Sequence, residues 1–188
     1  PVNPAGPLEV ISGETTTVIF GNYCTVPSNG RTLGFWSNKN GQSYVDGDDL
    51  ALLVSLNLRN ASGADFDPGN KSALRSWLLK GEATNMAYML SVQMAAMQLN
   101  VHNGFVDGGG YYVPAGMTVE ALMTAANDSL WLHGLTLSGH PQREHQEQLK
   151  NWLDELNNGA GLLSPSPCAC SFTTDGSASP IVLDAASP

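Results

Sequence analysis

The stretch Glu82–Asn103 constrains the fold most. Met86, Met89, Leu90, Val92, Met94, Met97, Leu99 and Val101 sit on a helical register yet cover every direction around it. A helix that is apolar on all sides has to be enclosed by other elements. Gly104 supplies its stop. The rest of the middle of the chain must therefore provide the enclosing layer.

Four more helices are expected. Asp46 is the natural N-cap of the first, whose apolar stripe is Leu50, Leu53, Val54 and Leu58. Asp67-Pro68 opens the second with an N-cap and a first-position proline, Ala73, Leu74, Trp77 and Leu78 face inward, and Gly81 ends it. Thr118–Leu132 turns Val119, Leu122, Met123, Ala126 and Leu130 inward. Pro141 starts the last, with Leu149, Trp152, Leu153 and Leu156 inside and Asn157-Asn158-Gly159 as its stop. Asp107–Pro114 reads as a loop, and Asn40-Gly41 as a turn.

The two ends are β-prone. Leu8–Ile11 and Thr15–Phe20 read as strands, as do Cys170–Thr174 and Ile181–Leu183. A strand cannot satisfy its own backbone groups. The N-terminal strands must pair with the C-terminal tail or with another molecule. The expected class is α+β, with a mainly helical core of about five helices and β-strands contributed by the N- and C-terminal segments. Residues 1–26 form a β-prone arm, 27–163 the helical domain, and 164–188 a Pro/Ser linker and β-prone tail. The start at Pro1 reads as a processed or trimmed product.

Charged residues make up only 13% of the chain, against roughly 25% in ordinary soluble proteins. Asn, Ser, Thr and Gly carry the polarity, which suits a secreted or assembled protein. The net charge is −9, so no basic footprint for nucleic acid exists. No apolar run approaches the roughly 20 residues of a membrane span. Cys24 can pair with Cys168 or Cys170, which lie on one face of a strand, and the third cysteine is left for another molecule or a buried free thiol. A bridge spanning most of the chain contributes ~4–5 kcal/mol on the chain-entropy model.

No residue cluster spells out a reaction, and no enzyme and no cofactor are expected. His140-Pro141-Gln142-Arg143-Glu144-His145 carries one residue too many for an inverted zinc-protease motif. Asp46, Asp48 and Asp49 are weak calcium candidates without the EF-hand pattern, and helix capping explains them better. Trp36, Tyr111 and Tyr112 are candidate ligand contacts, as a stacking platform for sugars, and packing of Trp36 at the strand-to-helix junction explains that residue better. Asn60, Asn70 and Asn127 open N-glycosylation sequons.

Two stretches carry a resemblance. Thr15-Thr16-Thr17-Val18-Ile19-Phe20-Gly21-Asn22-Tyr23-Cys24 resembles the last strand of prealbumin-like modules in bacterial surface proteins. Thr32-Leu33-Gly34-Phe35-Trp36-Ser37-Asn38-Lys39-Asn40-Gly41-Gln42, with Asn85-Met86-Ala87-Tyr88-Met89-Leu90, resembles a domain that follows such modules in uncharacterised secreted bacterial proteins. The resemblance implies an exported, multi-module surface or matrix protein and carries no catalytic residue over. The remainder of a prealbumin-like module has no counterpart in this chain.

Together these readings predict an extracellular or cell-surface structural subunit. Its assembly strand, Thr15, Thr17, Val18, Ile19 and Phe20, would add to a sheet of another copy and build a filament or surface layer. The alternative is a monomeric, secreted glycan- or surface-binding module with its terminal strands paired in cis. The expected partners are other copies of the chain or surface glycans, with no nucleic acid and no membrane insertion.

Overall fold

The computed structural model describes residues 24–164. The proposed assembly strand, the other terminal strands and Cys168 and Cys170 lie outside the described residues. Within them the class is α+β and mainly helical.

In chain order the elements begin with β1 (Thr25–Pro27), α1 (Leu33–Ser37), α2 (Lys39–Tyr44), α3 (Gly47–Val54) and α4 (Lys71–Leu79). There follow α5 (Met86–His102), β2 (Tyr111–Tyr112), a short 3-10 turn (Val113–Ala115) and β3 (Met117–Thr118). Then come α6 (Val119–Leu132), α7 (Arg143–Asn157) and β4 (Gly161–Leu163).

Helix α5 is the central element, as its all-round apolarity requires. Two stripes at alternating three- and four-residue spacing run along it. Ala87, Leu90, Met94 and Met97 join Leu122, Ala126 and Leu130 of α6 and Leu149, Leu153 and Leu156 of α7 in one core. Tyr88, Val92, Ala95 and Leu99 join Trp36, Leu53, Leu74 and Leu78 in a second core. A residue one position along is turned by about 100°, so the two stripes face different neighbours. The helix is the shared wall of both cores.

Helix starts follow capping chemistry. Asp46 and Asp49 form a reciprocal capping box at α3. Thr118 accepts from Ala121 N at 3.2 Å and opens α6. Asn38 closes α1 and caps α2, accepting from Asn40 N at 2.8 Å and Gly41 N at 3.2 Å. Gly41 packs on the backbone of α1: an added Cβ would lie 2.1 Å from the Phe35 carbonyl oxygen.

Several sequence expectations are corrected. Helix α4 is capped by Asn70, not by Asp67. Phe66 N donates to Leu58 O at 2.9 Å and holds the chain extended there, and a residue before proline is itself biased away from the helix. Val54 is 47% exposed, because α3 ends there and Leu58 reaches the core from the following segment. The Asp107–Pro114 loop contains β2, which pairs antiparallel with β3 (Tyr111 opposite Thr118, Tyr112 opposite Met117). Its glycines are fastened: Glu120 N donates to Gly108 O at 2.9 Å and Val119 N to Gly110 O at 3.0 Å.

Strands β1 and β4 pair antiparallel, with Thr25 opposite Leu163, Val26 opposite Leu162 and Pro27 opposite Gly161. Ser164 N donates to Cys24 O at 2.8 Å and Ser28 N to Ala160 O at 3.1 Å, which extends the ladder at both ends. The pair is tied to the helices. Leu162 is buried in the first core, and Ser28 Oγ donates to Leu156 O at 2.7 Å near the end of α7. Both terminal segments therefore leave the helical body at one place.

Candidate functional site

The residues predicted to contact a ligand do not form one surface. Trp36 has 0% exposure and belongs to the second core, where its Nε1–H donates to Asn100 Oδ1 at 3.2 Å. Phe35, Tyr44 and Phe105 surround its ring, with centroids 5.2, 6.4 and 6.0 Å away. Tyr112 is buried in the first core and its hydroxyl donates to the Glu155 carboxylate. Burial first, and then that bond, pushes the Tyr112 hydroxyl's pKa well up, so it stays a neutral donor. Of the three, only Tyr111 is exposed. The candidate stacking platform is not formed: two of its residues lie in separate cores, Trp36 in the packing role that the sequence favoured, and one is a surface tyrosine.

The acidic cluster is architectural. Asp46 Oδ1 accepts from Asp48 N at 2.9 Å and Asp49 N at 3.1 Å, and these bonds hold its carboxyl below the ordinary range. Asp49 is buried, accepts from Asp46 N at 3.0 Å and from Asn103 Nδ2 at 3.0 Å, and lies 4.0 Å from His102 Nε2. Among the described residues no three His, Cys, Asp or Glu side chains converge on a point that could hold a metal ion. The sequon asparagines are also engaged: Asn70 caps α4, Asn127 Oδ1 accepts from Asn57 N at 2.8 Å, and Asn60 Oδ1 accepts from Ser62 and Ala64.

The motif residues that carry the resemblance do structural work. Gln42 Nε2 donates to Trp36 O at 2.6 Å, across the α1–α2 corner that Thr32 and Asn38 cap. Asn85 caps α5 and ties it to the segment after α6, accepting from Thr136 N at 2.8 Å and donating to Gly134 O at 3.1 Å. Thr136 Oγ1 in turn donates to Gln146 Oε1 at 2.6 Å, and Asn85, Thr136 and Gln146 are all buried.

A different feature has the shape of a binding site. A cleft of about 720 Å³ opens where the Asn60–Phe66 loop meets α4 and the start of α5. Such a volume lies within the roughly 300–1,000 Å³ of small-molecule sites. Its aromatic side is Phe66 stacked flat on Trp77, with centroids 4.5 Å apart and planes 5° from parallel, and Tyr88 behind them. Trp77 is held rigidly: its Nε1–H donates to Arg59 O at 3.2 Å, and the Tyr88 hydroxyl donates to Trp77 O at 2.6 Å. The loop is braced by Arg59–Asp65, 3.4 Å apart, and by the Asn60 turn. Asn60, Ser62, Ser76, Lys80 and Glu82 supply a polar rim. The one sequence sign of this site was Phe66 itself, a lone aromatic between Asp65 and Asp67.

No protein-family model, no curated protein and no solved structure matches this chain. Among the described residues no helix is long and apolar enough to cross a membrane.

Proposed function

We propose that this chain is a binding module of an exported surface protein, its helical body closed by strands β1 and β4 of the same chain. The observation that carries this reading is the β1–β4 pair. A body completed by strands of its own chain needs no strand from a second copy. Here the ladder is made within one chain, and both strands are anchored to the same helices through Leu162 and Ser28. The low charge content and the resemblance to secreted bacterial surface proteins support export. Because Ser164 bonds to Cys24 O, the C-terminal segment departs close to Cys24, which supports a bridge from Cys24 to Cys168 or Cys170.

The filament reading has one observation in its favour. Among the described residues β1 pairs with β4 alone, which leaves an edge on which a further strand could add. Light scattering at two concentrations, with electron microscopy, separates the two readings. The full chain is expected to be monomeric at both concentrations, and deletion of residues 1–22 to leave that unchanged. Polymers that vanish with the deletion would overturn the module reading and restore strand exchange.

A further inference from the structure

We infer that the Phe66–Trp77 cleft is a saccharide site that takes a neutral or amine-bearing pyranose. The inference rests on the binding-module reading and names its ligand. Its chemistry comes from the two sides of the cleft. A pyranose ring has one apolar C–H face and a girdle of hydroxyl groups. Phe66 offers a flat aromatic surface, stiffened from behind by the parallel Trp77 ring. Around it stand hydrogen-bonding groups that no other described residue uses. Asn60 spends only its oxygen, accepting from Ser62 and Ala64, so both Nδ2 hydrogens are available. The Ser76 hydroxyl, the Lys80 ammonium and the Glu82 carboxylate have no partner among the described residues.

This mixture selects among ligands. An alkyl chain would make no use of these four hydrogen-bonding groups. A polyanionic glycan or nucleic acid would meet Glu82 and a chain of net charge −9. A polyol with an apolar face can stack on Phe66, accept from Asn60 and Lys80, and donate to Glu82. An amino group on the ring would add a charge-assisted bond to Glu82.

The test is titration of the full chain with two defined probes, a β-1,4-linked N-acetylglucosamine tetramer and a β-1,4-linked glucose tetramer. Tryptophan fluorescence reports through Trp77, and saturation-transfer NMR reports ligand contact. Saturable binding of either probe is expected. Phe66→Ala is expected to weaken it at least about tenfold, equivalent to ~1.4 kcal/mol. Ser76→Trp fills the cleft from the exposed face of α4 without entering a core, and is expected to abolish binding with an unchanged melting temperature. Tyr111→Ala, remote from the cleft, is expected to bind as the wild type does. A monomeric chain that binds neither probe, or whose binding survives both Phe66→Ala and Ser76→Trp, would overturn the saccharide site and leave the module reading standing. Polymers that bind through Phe66 would support the saccharide site and overturn the module reading alone.

Discussion

The side-chain amide of Asn100 donates to Asn157 Oδ1 at 2.8 Å, across the buried contact between α5 and α7. The same amide donates to Arg31 O at 2.9 Å, while Asn100 Oδ1 accepts from Arg31 N at 2.9 Å and Trp36 Nε1 at 3.2 Å. Asn157 passes the chain on, donating to Gln93 O at 3.0 Å and Gln93 Oε1 at 2.9 Å. One side chain thus fixes α7 and the segment leading to α1 against the central helix.

Asn100→Leu is therefore expected to be severe. It strands Asn157 Oδ1 and the Trp36 indole N–H in a buried contact and breaks both bonds to the Arg31 backbone, and each unsatisfied buried group costs ~1–3 kcal/mol. A loss of about 3 kcal/mol or more is expected in urea unfolding. A loss below about 1 kcal/mol would show that the amide does not hold the three segments together.

Tyr112→Phe isolates the hydroxyl's bond to Glu155. At neutral pH the expected cost is about 1.5–3 kcal/mol, as for a hydrogen bond to a charged group. A second signature is alkaline. The folded hydroxyl ionises above its ordinary value of 10, so the stability it contributes is full below pH 10 and falls as pH rises beyond it. Urea midpoints between pH 9 and pH 11 should fall more steeply for the wild type than for Tyr112→Phe. Parallel slopes would refute the assignment.

Trp36→Ala tests whether this residue is core or ligand contact. Removing a fully buried indole is expected to cost ~3–5 kcal/mol. Trp36→Phe keeps part of the volume but loses the donor to Asn100, and should fall between the two. Saccharide binding by the folded Trp36→Phe protein is expected to equal that of the wild type.

The cysteine bridge proposed above predicts a covalent link between the chain ends. Peptide mapping without reductant should recover Cys24 joined to a peptide containing Cys168 or Cys170. Cys24→Ser is expected to lose ~2–5 kcal/mol, and reductant should lower the wild type to the same level. Recovery of the Cys24 peptide unlinked would overturn the bridge.

The long helices were legible because each gives its period room to repeat. Val119, Leu122, Met123, Ala126 and Leu130 all face inward as their spacing demands. Helices α1 and α2 were not, since five and six residues hold too few turns to show a stripe. Trp36 illustrates a deeper limit. It lies in a helix too short to show an inward face, and beyond the adjacent Phe35 its enclosing partners Tyr44, Asn100 and Phe105 arrive from elsewhere in the chain. The cleft failed for the same reason: Phe66 and Trp77 meet only because Phe66 N is tied to Leu58 O while α4 turns Trp77 toward it.

The antiparallel clasp of β1 and β4 also decides how the molecule would bear a pull. Cys24 and Ser164 sit together at its outer end, so tension applied through the two termini draws them directly apart. The ladder then opens like a zipper, loading its hydrogen bonds one after another, and yields at lower force than strands sheared along their length. A covalent link just outside the clasp would carry that tension itself, and the helical body with its cleft would hang beyond it, unloaded.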